Sequence, residues 1–149
     1  MSLPEQVLTE ELRPLVVADC AKLLDAQVTA KRGVSGFAIR SGFKVVKRMD
    51  GGRFVPKAID DLLPEFTEAM EPLHAEFRAS DSPSFARFIR GRESELASAL
   101  LAVTDGKAVH AKNAVLKSVY NKLRPAAQRN IEAAIPDLAD LIDKHTAQP

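Results

Sequence analysis

Cys20 is the only thiol in the sequence and the first side chain whose chemistry has to be considered. A catalytic cysteine needs a neighbouring base and exposure to solvent, so that its thiolate can form and reach a substrate. Cys20 instead shares an apolar helical stripe with Val16 and Leu24, where a free cysteine packs as a small hydrophobic residue. We therefore expect Cys20 to be buried and unreactive, and we predict no catalytic residue. A single cysteine also fits a reducing compartment.

Glu71 and His74 have the Glu-x-x-His spacing that di-iron helical bundles use to direct two ligands into their core. Such a site needs a second Glu-x-x-His pair and two further carboxylates. The other two histidines lack this partner, because Lys107 lies three residues before His110 and Ile142 lies three residues before His145. We therefore predict no metal site and no cofactor.

Two glycine pairs could in principle bind phosphate. Gly51-Gly52-Arg53 lacks the Gly-Lys-Ser/Thr ending of a P-loop. Gly33-Val34-Ser35-Gly36 has the GxxG spacing of one RNA-binding fold, but that fold needs a β-sheet, which this sequence does not predict. No phosphate-binding loop is therefore expected, and an enzyme is the least favoured class of function.

Basic residues form the more informative patterns. Residues 31–57 contain eight Lys or Arg and one acid, and residues 107–129 contain six Lys or Arg and no acid. At helical spacing, Arg40, Lys44, Lys47 and Arg48 fall on one face, which is the candidate site for an anionic partner. The alternative is that this face is only solvated, as the outer faces of helices in soluble bundles usually are.

The elements that carry these residues read as a helical hairpin with opposite charge on its two arms. The basic arm, residues 35–49, also has an apolar side that includes Ala38, Ile39 and Val45. The second arm, residues 56–77, has an apolar stripe on one side and Asp61, Glu65, Glu68 and Glu76 on the other. Pro64 and Pro72 fall on its outer face, so we expect one helix kinked twice, with several short helices as the alternative.

The whole chain of 149 residues predicts an all-α, single-domain bundle of about six or seven helices, with mostly antiparallel neighbours. Besides the hairpin, the predicted helices are residues 5–12, 14–33, 83–104 and 108–123, and one that begins at Pro125. Ser82 is the expected N-cap of the helix 83–104, Gly91 should only weaken that helix, and Gly106 should end it. Residues 80–84 are the candidate hinge between two helical halves.

Gly42 lies in the middle of the apolar side of the basic arm, where a glycine costs about 1 kcal/mol relative to alanine. We expect another helix to pass too close for a larger side chain, with Phe66 or Met70 on the opposing surface. Gly42→Ala should then lower stability, because overpacking outweighs the gain in helix propensity.

Four stretches of the chain have a distinctive amino-acid sequence. They are Gly33-Val34-Ser35-Gly36 with the basic helix after it, Phe54-Val55-Pro56-Lys57-Ala58-Ile59-Asp60-Asp61-Leu62-Leu63-Pro64-Glu65-Phe66, Leu101-Ala102-Val103-Thr104-Asp105 and Tyr120-Asn121-Lys122-Leu123-Arg124. Together they resemble a small uncharacterised bacterial family of about this length. The resemblance covers most of the chain and implies a compact helical domain, but it supplies no activity, ligand or site residue.

These observations predict a non-enzymatic interaction domain that binds a protein partner or itself through the charge-split hairpin. The alternative is a nucleic-acid-associated protein that uses the basic face at residues 40–48, although a net charge of +1 is unusual for a dedicated nucleic-acid binder. The sequence begins with no export signal and contains no apolar run long enough for a membrane span, so we expect a cytoplasmic protein without membrane insertion. Binding to an anionic membrane surface is less favoured, because the core should use the apolar side of the basic arm.

Overall fold

A computed structural model describes residues 1–146, except for the side chains of Val34 and Ser35. This part of the chain contains α-helices and no strand, which confirms the predicted all-α fold. The helices are α1 (Leu3–Val7), α2 (Arg13–Thr29), α3 (Gly33–Arg48), α4 (Phe54–Arg78), α5 (Phe85–Phe88), α6 (Glu93–Val109) and α7 (Ala114–Thr146). A 3-10 turn, Met49–Gly52, joins α3 to α4, so these two helices are the predicted hairpin.

Helix α4 runs through both of its prolines without interruption, so the alternative of several short helices is wrong. Pro64 has no N–H and leaves the carbonyl of Asp60 without its helical donor. The Arg13 guanidinium replaces that donor, because its Nη2 donates to the Asp60 carbonyl oxygen at 2.8 Å while its Nε donates to the Asp60 carboxylate at 2.7 Å. A residue of α2 thus supports α4 at the position that the proline disrupts. The kinks themselves stay a prediction.

The predicted helix 83–104 is two helices, α5 and α6. The prediction that Gly91 would only weaken one continuous helix was wrong. Gly91 has a φ of +85°, a left-handed conformation that ends α5 and its following turn before α6 begins. The N-cap is Ser84, whose hydroxyl oxygen accepts from the Arg87 N–H at 3.1 Å, and not Ser82. Asp143 of α7 adds a second cap, accepting from the backbone N–H groups of Phe85 at 2.9 Å and Ala86 at 3.0 Å.

The C-terminal helices also differ from prediction. Gly106 does not end its helix, since α6 continues to Val109. The two helices predicted over residues 108–123 and from Pro125 are replaced by the single helix α7, which begins only at Ala114 and passes through Pro125 and Pro136. Both prolines are exposed, so the carbonyl groups they leave unpaired in the preceding turns lie on the solvent side of the helix, where water can replace the lost donor.

Among the described side chains, the hydrophobic core draws members from every helix except α3. Its buried members are Leu3, Val7, Val16, Leu63, Met70, Leu73, Phe85, Ile89, Leu96, Ala97, Leu100, Ile135, Ala139 and Ile142. They come from both sides of residues 80–84, so one core joins the two predicted halves. Because no described side chain of α3 belongs to this core, we place α3 against the bundle instead of within it.

Gly42 does face a neighbouring helix closely, but the neighbour is α7 and not the surface around Phe66 or Met70. A Cβ added at Gly42 would lie 3.1 Å from Val119 Cγ1 and 3.8 Å from Leu123 Cδ1. The opposing atoms belong to side chains, which can adjust more easily than a helix backbone. The tighter glycine is Gly36, where a Cβ would lie 2.8 Å from the backbone carbonyl carbon of Lys31.

Candidate functional site

The outer surface of α3 combines exposed apolar side chains with basic ones. Phe37 is 64% exposed and Val45 is 46% exposed, although Val45 belongs to the predicted apolar side of the helix. Ile39 and Val46, on the same side, are only half-buried. The sequence analysis was therefore wrong to expect the core to use this apolar side, since none of the described side chains of α3 belongs to the core.

The structure divides the four predicted binding residues into two pairs. Arg40 and Lys47 turn toward α2 and the connection that follows it: the Arg40 guanidinium donates to the Lys31 carbonyl oxygen in that connection, and Lys47 Nζ lies 2.9 Å and 3.0 Å from the two carboxylate oxygens of Asp25. These two side chains hold α3 against the bundle.

The other pair, Lys44 and Arg48, points away from the bundle. Both are exposed, and neither forms an ion pair with any residue in the part of the chain that the structure describes. They are one helical turn apart, so their charges lie close together on the α3 surface. The candidate site therefore retains two of its four predicted cations.

The acidic arm is also partly neutralised. Four of its carboxylates form ion pairs with basic residues. These are Asp60 with Arg13 of α2 at 2.7 Å, Glu65 with Lys107 of α6 at 2.6 Å, Glu71 with Arg78 of α4 itself at 2.7 Å, and Glu76 with Arg92, in the turn before α6, at 3.3 Å. Asp61 and Glu68 are exposed and form no ion pair within residues 1–146. Lys57, one turn before Asp61, adds one exposed cation to this arm.

The second basic region, on α6 and α7, keeps most of its charge free. Arg124 is the exception besides Lys107, since its guanidinium donates to both Asp105 oxygens at 2.8 Å and 3.0 Å. This guanidinium and the Tyr120 hydroxyl hold the pKa of Asp105 below its ordinary value. The exposed cations without an ion pair among the described residues are Lys112, Lys117, Lys122 and Arg129. The packing of Gly42 on Val119 brings this acid-free region next to α3.

Cys20 does not have the surroundings of a nucleophile. Its side chain packs against the core, although it is half-buried and not fully buried as expected. Burial and the nearby Asp19 carboxylate raise the pKa of the Cys20 thiol to about 11. At neutral pH the reactive thiolate is therefore scarce.

Glu71 and His74 belong to a structural network that joins α1 to α4. The Glu71 carboxylate accepts from the Leu3 N–H at 2.9 Å and from both Arg78 terminal nitrogens at 2.9 Å and 2.7 Å. Arg78 Nη1 also donates to His74 Nδ1 at 2.6 Å. Within residues 1–146, no group of three or more His, Cys, Asp or Glu side chains is arranged to hold a metal ion.

Arg78 is the residue that sequence reasoning missed in this network. It lies four residues after His74 and seven after Glu71, so all three share one side of α4. The sequence shows this spacing directly. It does not show that the N-terminus of α1 supplies the further hydrogen-bond donor to Glu71. The likeness of Glu71 and His74 to a metal-ligand pair comes from their spacing alone.

No helix within residues 1–146 has both the length and the apolar composition needed to cross a bilayer. The described chain is thus a small all-α bundle with one amphipathic helix packed on its outside. The chain belongs to the family of unknown function DUF6918, whose family model matches residues 3–146. This agrees with the resemblance to an uncharacterised family. No curated protein and no solved structure matches the chain.

Proposed function

We propose that this chain is a non-enzymatic interaction domain that binds a protein partner, or a second copy of itself, through the α3–α4 hairpin. The observation that carries the proposal is the outer surface of α3, where Lys44 and Arg48 form no ion pair with any described residue and Phe37 and Val45 are exposed. The core of the bundle does not need these side chains.

Exposed apolar residues are common on soluble proteins, so Phe37 and Val45 alone would carry little weight. Their position on a helix with no described core residue, beside two cations that no described residue pairs with, is what favours an interface. Protein–protein interfaces typically combine aromatic and arginine side chains with a polar rim. Burying a side chain such as Phe or Val fully contributes about 1.5–3 kcal/mol, which is enough to anchor a modest interface.

The proposal is tested by affinity capture with the tagged full-length chain from the cell that naturally produces it. We compare the wild type with a variant that carries Lys44→Glu and Arg48→Glu. The matched control carries Arg87→Glu and Arg90→Glu, which reverses two exposed charges in and just after α5, outside the α3–α4 hairpin. We expect the hairpin variant to lose the specific partner and the control to retain it. Equal capture by all three proteins would overturn the proposal.

A second candidate function is nucleic-acid binding, and the acid-free region on α7 is the observation that favours it. Lys117 and Lys122 are exposed there without an ion pair among the described residues, as are Lys44 and Arg48 on the neighbouring α3. Phosphate binding weakens linearly in log affinity as log salt rises, with a slope of about −0.9 per neutralised phosphate on duplex DNA.

Nuclease treatment and salt titration separate the two candidates. If nucleic acid is the partner, nuclease abolishes capture, and a Lys117→Gln, Lys122→Gln variant reduces the salt slope by about 2. If a protein is the partner, capture survives nuclease and depends on Phe37 and Val45, whose replacement by Ser leaves phosphate contacts intact.

A further inference from the structure

We infer that the partner is a second copy of this chain, with α3 of one copy docked on α4 of the other. This inference rests on the proposed function of the hairpin. The exposed side chains without an ion pair among residues 1–146 differ in sign between the arms: Lys44 and Arg48 on α3, and Asp61 and Glu68 on α4, where Lys57 adds one cation. Of the other predicted binding cations, Arg40 is held by a hydrogen bond to the Lys31 carbonyl oxygen and Lys47 by its ion pair with Asp25, and ion pairs neutralise four carboxylates of α4. Lys44, Arg48, Asp61 and Glu68 therefore remain available for a contact between copies.

The spacing of the four residues suits an arm-to-arm contact. Lys44 and Arg48 are one turn apart and lie on one side of α3, and Asp61 and Glu68 are two turns apart and lie on one side of α4. Two turns of helix span about 11 Å, and the long side chains of lysine and arginine can reach across the difference. If the two copies are related by a two-fold axis, each contact forms twice, because an isologous interface repeats every pairing.

Charge sets the pairing of the arms, and apolar burial supplies most of the affinity. Exposed ion pairs contribute little by themselves, because water and salt screen them. Phe37 and Val45 lie on the same α3 surface and leave water when the arms meet. A net charge of +1 also means that long-range repulsion between two copies is small.

The experiment measures self-association of the full chain by sedimentation equilibrium at low ionic strength. The cation-reversed variant carries Lys44→Glu and Arg48→Glu, and the acid-reversed variant carries Asp61→Lys and Glu68→Lys. We expect each variant alone to raise the dissociation constant of the dimer by about tenfold or more, because like charges then face each other. Far-UV circular dichroism of each variant confirms that it is folded.

An equal mixture of the two variants provides the decisive measurement. In the mixture, both contacts pair opposite charges again, so we expect a heterodimer with an affinity close to that of the wild type. The control variant with Arg87→Glu and Arg90→Glu should dimerise like the wild type. Rescue by mixing cannot result from a variant that is merely damaged.

The inference is overturned if the wild type is monomeric at its highest soluble concentration, or if the mixture fails to associate. In either case the proposed function survives if affinity capture still depends on Lys44 and Arg48, and the partner is then a different protein. If capture does not depend on these residues either, both the inference and the proposed function fail.

Discussion

At the scale of single residues, the fold constrains the ionisation of His74. It is 1% exposed, its ring packs on Phe77 and Phe85 with centroids 5.3 Å and 5.0 Å away, and its Nε2 has no hydrogen-bond partner among the described residues. Burial and the Arg78 guanidinium lower the pKa of His74, and the Glu71 and Asp143 carboxylates oppose this only in part. The folded protein therefore holds His74 neutral.

This constraint predicts a loss of stability in mild acid. The pKa of His74 is lower in the folded state than its ordinary value of 6.5, so the unfolded chain binds the proton first as the pH falls. The contribution of neutral His74 to the free energy of unfolding is complete above pH 6.5 and is lost as the pH falls toward the lower folded-state pKa of His74. Denaturant melts between about pH 7.5 and pH 5.5 should show a falling free energy of unfolding.

The His74→Gln variant is the control for this pH dependence. Glutamine offers an oxygen to Arg78 but does not titrate. We expect the variant to be less stable than the wild type at neutral pH. Its free energy of unfolding should be nearly independent of pH over the same range. The carboxyls of Glu71, Asp19 and Asp105 have lowered pKa values and act only at lower pH. An unchanged acid dependence in His74→Gln would assign the effect to another group.

Three glycines test the packing around α3 and α6. Gly36→Ala should cost about 1–3 kcal/mol, because its Cβ would meet the backbone of Lys31, which cannot move away easily. Gly106→Ala should stabilise by up to about 1 kcal/mol, since it lies inside α6 with no atom within 4 Å of the added Cβ. Gly42→Ala should fall between them with a small loss, because Val119 can yield. Denaturant melts of the three variants rank them, and a stable Gly36→Ala would contradict the close approach.

At the scale of secondary-structure elements, α3 differs from the other helices in how it is held. None of its described side chains belongs to the core, and left-handed residues flank it: Gly33 at its start, and Asp50, Gly51 and Gly52 after its end. Lys47 pairs with Asp25 of α2, and Arg40 donates to the Lys31 carbonyl oxygen in the connection after α2. An element with few buried contacts opens locally at lower free energy than the whole fold.

We expect native-state hydrogen exchange to show this directly. The amides of α3 should exchange through a local opening, whereas those of α4 and α6 should be protected up to the free energy of global unfolding. Lys47→Ala removes the ion pair with Asp25 and should lower protection in α3 alone. Equal protection of α3 and α4 in the wild type would show that α3 is part of the cooperative fold.

At the scale of the whole molecule, the core makes the bundle one cooperative unit despite the gap between α4 and α5. Phe85 and Ile89, after residues 80–84, pack in the same cluster as Leu3 and Leu73, before them. Asp143 also ties the start of α5 to α7 through two hydrogen bonds. Residues 80–84 therefore have the contacts of an internal connection and not those of a domain boundary.

A single unfolding transition is expected as a result. Far-UV circular dichroism reports on all helices, and the fluorescence of Tyr120, the only tyrosine, reports on the α6–α7 contact. The two probes should give coincident denaturant curves, as in a two-state domain. If Tyr120 unfolded at a different denaturant concentration from the helical signal, residues 80–84 would be a real boundary.

The sequence by itself determined that the chain is all-α, where most helices lie and which of their sides are apolar. These properties depend on local periodicity and on proline and glycine positions, which act within a few residues along the chain. The predicted helix ends were wrong where glycine or proline gave only a weak local signal. Gly91 ends a helix because its φ is positive. Gly106 and Pro125 instead lie within helices.

Only the tertiary structure decided which charged and apolar residues of the hairpin are free. Lys44 and Lys47 look equivalent in sequence, yet Lys47 pairs with Asp25 of α2 and Lys44 has no ion-pair partner among the described residues. Likewise Val45 belongs to an apolar side that predicts burial, yet it is 46% exposed because the described side chains of α3 lie outside the core. Whether a side chain is free depends on residues distant in sequence, and their approach is set by the packing of the whole bundle, which no local pattern encodes.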